Sequence, residues 1–201
     1  MQRVFLLGDS ITGDVGGSWA HGYAELAAAS LAGEALVSTP PENGEDSRKV
    51  LTRLEQWLGA GRYDIIHFNC GLHDIKRPHG ADVIQVPIEE YAANLQEIVG
   101  RLRARAGIVI WARTTPVTDG QRVPTKPFDR FNRDVDAYNR VADRVMADLG
   151  VPSNDLHAAV LAAGIGRCLH SDGVHMTDEG NRVLAVQATA IIRRALAQPE
   201  R

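Results

Sequence analysis

Cysteine is scarce in this chain. Only Cys70 and Cys168 occur among 201 residues, and neither stands in a CxxC pair or a metal-ligand spacing. A thiol-built metal site is therefore not indicated, and two cysteines do not by themselves imply an oxidising compartment. Cys70 falls in an apolar run and reads as a buried free thiol. There is no polybasic run: 22 basic and 25 acidic residues are interspersed, for a net charge of -3. Nothing in that balance calls for nucleic acid or an anionic membrane as partner, and it favours a neutral or mildly polar small molecule. No apolar run approaches membrane-spanning length. The opening stretch from Met1 to Gly8 is too short for the apolar region of a signal peptide and lacks a small-residue cleavage site. A soluble, cytoplasmic protein is the expectation. HExxH patterns and clustered His, Asp and Cys are missing, so no metal is expected. So are GxGxxG and GxxxxGK loops; the glycine-rich Gly13-Asp14-Val15-Gly16-Gly17 fits neither, and no cofactor is expected. Repeats, low-complexity tracts and linkers are also lacking, which leaves one domain over residues 1–201.

What is present is an alternation of short apolar runs and longer amphipathic stretches, with 44% apolar residues to build a core. Arg3 to Leu7 is a continuous apolar run ending at Gly8, as a strand covered on both faces requires. An alanine-rich helix is predicted around Ser18 to Leu31, and Ala35 to Val37 is a short strand stopped by Pro40-Pro41. Val50, Leu51, Leu54, Trp57 and Leu58 share one helical face within Ser47 to Leu58. Asp64 to Asn69 reads as the third strand and Ile108 to Trp111 as the fourth. Between them, Tyr91, Leu95, Ile98 and Leu102 mark a helix. Val135, Tyr138, Ala142, Val145 and Leu149 line another, ending at Gly150. Val151 to Leu156 holds a weak fifth strand. A last helix starts near Thr177, with Asp178 and Glu179 well placed in its first turn. Strands separated by helix-length segments argue for a parallel sheet with helices on both faces. Sites in such sheets form at the carboxyl ends of the strands. Two long loops, Lys76 to Pro87 and Thr114 to Pro127, belong to the same search.

Two short blocks carry chemistry. Gly8-Asp9-Ser10-Ile11-Thr12 follows the first strand, which stands Ser10 at the carboxyl edge of the sheet. Gly8 allows a sharp turn, and the N-terminus of the next helix would offer free N–H groups beside the hydroxyl. A serine hydroxyl is a poor nucleophile until a base takes its proton. The second block, Ser171-Asp172-Gly173-Val174-His175-Met176-Thr177, precedes the last helix. The three-residue spacing around a glycine lets the Asp172 carboxylate meet one ring nitrogen of His175, leaving the other free to accept from Ser10.

Together these blocks resemble the first and last sequence blocks of the SGNH (GDSL) hydrolase superfamily, in the right order and over essentially the whole chain. The resemblance implies a three-layer α/β/α, flavodoxin-like fold with a five-stranded parallel sheet, and hydrolysis of esters by Ser10, Asp172 and His175. It also implies an oxyanion hole. Where the family has Gly-x-Asn-Asp, with the asparagine donating to the oxyanion, this chain has Gly71-Leu72-His73-Asp74. His73 takes the asparagine's place, and an imidazole N–H is a competent donor, more so if protonated. Asp74 is expected to hold that loop by hydrogen bonds. In the segment Pro41 to Ser47 the family's backbone donor falls on Gly44, or on Glu45 if the downstream serine sets the register. The Ser10 N–H is expected as a further donor.

The expected activity is therefore serine-dependent ester hydrolysis, with a short acyl group, acetyl above all, on a carbohydrate or similar small polar molecule. Polar loops and the lack of a long apolar segment favour it. Two alternatives stand beside it: a lipid esterase or acyl thioesterase of the same fold, and a non-catalytic ligand-binding relative, which the His73 departure keeps open. Trp19, Glu45, Arg48 and Arg113 are candidates to shape the substrate site. His67 reads as a satisfied core residue and His170 as structural. His21, His79 and His157 have no evident partner. The oligomeric state is not legible.

Overall fold

The computed structural model describes residues 1–13, 22–81, 83–119 and 126–197. The elements in chain order are β1 (Gln2–Leu7), α1 (Tyr23–Ser30), β2 (Ala35–Ser38), α2 (Ser47–Leu58), β3 (Tyr63–Phe68), β4 (Arg77–Pro78) and α3 (Ile88–Arg103). They continue with β5 (Ala106–Ala112), β6 (Phe128–Asp129), α4 (Asn132–Leu149), β7 (Ser153–Asn154), α5 (Leu156–Ala163), α6 (Ile165–Cys168) and α7 (Asp178–Leu196). Five strands form one parallel sheet in the order β2-β1-β3-β5-β7. Parallel neighbours need crossovers, and the helices supply them on both faces. α1, α5 and α7 pack together, while α2, α3 and α4 form the other layer. This is the expected three-layer α/β/α architecture.

The central strands are apolar because both of their faces are covered. Val4, Leu6 and Leu7 of β1, Ile65, Ile66 and Phe68 of β3, and Ile110 and Trp111 of β5 are buried. His67 interrupts this run and is satisfied within it. Its Nε2 lies 3.0 Å from Asn154 Nδ2, its Nδ1 lies 3.4 Å from the Tyr23 hydroxyl, and burial pushes its pKa down to about 4. Neutral His67 therefore behaves as the core residue its position implied. Cys70 and Cys168 are both buried and free.

The structure departs from the sequence reading in three places. α1 begins at Tyr23, and residues 18–21 of the expected helix lie outside the described residues. The fifth strand shrinks to Ser153–Asn154, and the chain turns at once into α5, capped by Asp155, whose carboxylate accepts from the Ala158 N–H at 2.8 Å. The two long loops are joined by β4 and β6, an antiparallel pair matching Arg77 to Asp129 and Pro78 to Phe128. No helix among the described residues is long and apolar enough to cross a membrane.

Truncating a fully buried β1 residue leaves a cavity under both helical layers. Leu6→Ala should cost about 2–5 kcal/mol of stability in urea unfolding. Leu36→Ala, at a position 59% exposed, should stay within about 0.5 kcal/mol.

Candidate active site

The site lies at the carboxyl ends of β1 and β3. After Leu7 the chain closes a tight turn in which the Thr12 and Gly13 N–H groups donate to the Asp9 carbonyl at 3.0 and 3.1 Å. The Asp9 carboxylate accepts from the Ile11 N–H at 2.9 Å. Gly8 is required by close approach: a Cβ there would lie 2.1 Å from Thr12 Oγ1. The start of α1 docks onto this turn, Tyr23 and Ala24 donating to the carbonyls of Ile11 and Thr12. The first N–H groups of α1 are thereby engaged by the turn. Among the described residues the Ser10 N–H has no hydrogen-bond partner.

The segment before α7 delivers the other two groups. A bridge between Leu169 and Met176, together with the His170 N–H donating to the His175 carbonyl at 2.8 Å, folds it into a compact loop. His170 thus has a backbone role there. Gly173 sits at φ +71°, in the left-handed region that favours glycine. His175 Nε2 lies 3.0 Å from Ser10 Oγ, and His175 Nδ1 lies 2.5 Å from Asp172 Oδ2. Asp172 Oδ1 accepts from the Val174 and His175 N–H groups, both at 3.0 Å, and Lys126 Nζ donates to Oδ2 at 3.2 Å. Burial alone would raise the Asp172 carboxyl. The hydrogen bonds from the His175 ring and from the two amides outweigh it, holding the acid well below the usual carboxylate range. Ionised Asp172 holds the ring with its Nδ1 toward the carboxylate and its Nε2 toward Ser10.

Around Ser10 the remaining expectations divide. His73 is brought close enough for its charge state to be coupled to His175, and its Nδ1 is buried without a partner. Burial, followed by the nearby Lys76 and Arg130 charges, pushes its pKa down to about 2. His73 is thereby held as the neutral ring, which can donate from only one nitrogen. Gly44 is also corrected as a free donor. Its N–H already donates to the Gly8 carbonyl at 3.1 Å, and a Cβ on it would lie 2.5 Å from that oxygen. Its glycine identity is explained by this contact. Glu45 is no replacement, since its N–H donates to Asn43 Oδ1 at 2.9 Å.

The substrate-site candidates fare less well. Arg48 holds Glu90 through two nitrogens at 2.5 and 2.6 Å and the Gln85 carbonyl at 3.1 Å. Arg113 pairs with Asp155 at 2.6 Å and Asp143 at 3.1 Å, and the Glu45 carboxylate pairs with Lys49 at 2.7 Å. All three are engaged in ion pairs. Trp19 and His21 lie outside the described residues. His79 and His157 sit beside Asp129 and Asp136, at 3.2 and 3.7 Å.

Residues that the sequence did not single out occupy the ground these candidates leave. A shallow cleft, open to solvent, touches Asp172 and is lined by Lys126, Phe128, Arg130 and Val174 among others. Arg130 Nε donates to the Leu72 carbonyl, next to His73, at 2.5 Å. The one signal was the string Phe128-Asp129-Arg130-Phe131, aromatics and charges together between a long loop and a helix. Among the described residues no cluster of three or more His, Cys, Asp or Glu could hold a metal ion.

Asp74 anchors the third block. Its carboxylate accepts from the Ser47 N–H at 3.0 Å and from the Ser47 hydroxyl at 2.5 Å, tying the His73 loop to the first turn of α2. Asn94 of α3 donates to the same hydroxyl at 2.9 Å.

The profile of the GDSL-like lipase/acylhydrolase family matches residues 6–183. Among solved structures, a lipase/acylhydrolase from Enterococcus faecalis superposes with a TM-score of 0.78 at 22% identity, covering 96% of each chain. A variant of an acetyl xylan esterase from Geobacillus stearothermophilus gives 0.73 at 22% identity, covering 100% of this chain and 97% of its own. Another acetyl xylan esterase gives 0.75 at 19% identity over 94% and 99%. At these identities the likeness is one of fold. A comparison with curated proteins found no match.

Burial pushes the Asp74 pKa up from 3.8 to about 7, against the pull of its Ser47 hydrogen bonds. A raised carboxyl pKa stabilises the fold fully below pH 3.8 and loses that contribution as pH rises through about 7. Asp74→Asn cannot titrate, so the stability of the wild type relative to this variant should fall between about pH 4 and pH 7. Urea midpoints measured across that range check it; parallel curves would contradict the assignment.

Proposed function

Because the chain belongs to the GDSL-like lipase/acylhydrolase family, we propose that it hydrolyses esters through an acyl-serine intermediate on Ser10. The single observation that carries this reading is the continuous line from Ser10 Oγ through the His175 ring to Asp172, at 3.0 and 2.5 Å. His175 Nε2 takes the Ser10 proton as the serine oxygen attacks the ester carbonyl carbon. The oxyanion that forms is received by the unpartnered Ser10 N–H and by the His73 ring. The carbon–oxygen bond to the alcohol then breaks, and the alcohol departs with the proton from His175. Water, deprotonated by the same ring, attacks the acyl-serine and releases the acid.

The substrate we infer is a short acyl ester, acetyl in particular, of a carbohydrate or another small polar molecule. Support comes from the polar cleft that touches Asp172, where Lys126, Asp129 and Arg130 stand, and from acetyl xylan esterases among the structural neighbours. A cleft so lined is a poor seat for a long acyl chain.

Ser10→Ala should lower kcat/KM on 4-nitrophenyl acetate by at least about a thousandfold and abolish labelling by a fluorophosphonate. Mass spectrometry should locate that label on Ser10 in the wild type. Equal rates for wild type and variant would defeat the proposal. His73→Ala should cost roughly a hundredfold or more in kcat, and His73→Asn, which restores an N–H donor, distinctly less. No effect from either would remove His73 from the mechanism.

A further inference from the structure

The β4/β6 pair brings a second set of charges to the site. Lys76 stands one turn after His73, its N–H 3.4 Å from the His73 carbonyl. Its ammonium lies 4.7 Å from the centroid of the Phe128 ring, and the guanidinium of Arg130 lies 4.9 Å from the same centroid. Phe128 and Arg130 both line the cleft that reaches Asp172. Two cations are thus gathered on one aromatic ring beside the cleft that touches Asp172.

All but one of the acids nearby are already engaged. Asp172 is bound by His175 and Lys126, and Asp129 faces His79 at 3.2 Å. Glu45 is paired with Lys49 at 2.7 Å, and Asp46 accepts from the Lys49 N–H and from Gln85. Asp9 is buried with one oxygen on the Ile11 N–H and the other without a hydrogen-bond partner, and burial pushes its carboxyl toward the neutral form, which makes it a poor counter-charge. Arg130 has the Leu72 carbonyl. Among the described residues the Lys76 ammonium has neither an ion pair nor a hydrogen bond, although it is partly buried. A partly desolvated, unpaired cation is costly unless an anion completes it.

We propose that Lys76, with Arg130 beside it on the Phe128 ring, is a subsite for a carboxylate of the substrate, so that the ester cleaved at Ser10 belongs to an acidic sugar or a similar acid-bearing molecule. The inference rests on the esterase reading and narrows its substrate class.

The test compares acetate release from O-acetylated galacturonic acid with release from the same compound methyl-esterified at its carboxyl group, which keeps the shape and removes the charge. Wild type should prefer the free acid by roughly tenfold or more in kcat/KM, as a charge-assisted hydrogen bond implies. In Lys76→Gln the preference should shrink to about threefold or less, and Lys76→Arg should keep most of it. Calorimetry of galacturonate binding to Ser10→Ala, with and without Lys76→Gln, gives a readout independent of turnover. Weaker binding in the double variant supports the subsite even if no acetate is released, in which case the esterase reading alone fails. An active wild type indifferent to the charge, a preference that survives Lys76→Gln, or galacturonate binding unchanged by that substitution would overturn the proposal.

Discussion

A single carboxylate, Asp172, receives the ring N–H of His175 and the amides of Val174 and His175 at once, and the rest of the site follows from it. The ring bond sets which nitrogen faces Ser10. The two amide bonds close the loop so that the carboxylate cannot swing away from the ring that it orients. Because its ionised form is favoured so strongly, the imidazolium formed when Ser10 gives up its proton always meets a negative partner. The loop in turn is positioned by α7, whose N-cap Thr177 takes the Gly180 N–H at 3.1 Å and donates its own backbone N–H to the Cys168 carbonyl at 2.8 Å. Sheet, helix cap and loop thus act in series on one ring nitrogen.

The opposite wall is built on the same logic with a different charge state. Asp74 ties the His73 loop to α2 through Ser47, but it is enclosed more completely than Asp172 and lacks a cationic or imidazole partner. Burial therefore wins there and raises its pKa, whereas at Asp172 hydrogen bonding wins. Two buried aspartates a few residues from the reacting centre thus have opposite protonation tendencies. The oriented one bears on catalysis, and the enclosed one on the shape of the loop that carries His73.

Much of this was legible in the sequence because chemistry restricts residue type where it acts. Ser10, Asp172 and His175 could be named from two short blocks, and the strand and helix faces from apolar spacing. The less legible features depend on contacts that have no local pattern. Gly8 and Gly44 were read for backbone freedom and for donation. Each is glycine because another chain segment passes within a Cβ's radius, the Thr12 side chain in one case and the Gly8 carbonyl in the other. The β4/β6 pair has two residues per strand, too short for any alternation to register, yet it fixes where Lys76, Phe128 and Arg130 stand. Arg48 and Arg113 had the right charge near the right strands. Nothing in the sequence revealed that Glu90, Asp143 and Asp155 already claim them.

That last contrast separates two kinds of cation around the same sheet edge. Arg48 and Arg113 have carboxylates within hydrogen-bonding distance, so their charges are neutralised where they stand, and pairs exposed in this way contribute little to stability. Lys76 is more enclosed than Arg48 and has only an aromatic face and distant acids to offset its desolvation, which lowers its pKa. A fold under selection for stability alone has a cheaper residue for that position, since glutamine or methionine would cover Phe128 without a buried charge. Retaining an ammonium there is intelligible if a negative group enters the cleft during the working cycle. The nearest chemistry that brings one is the ester that Ser10 attacks.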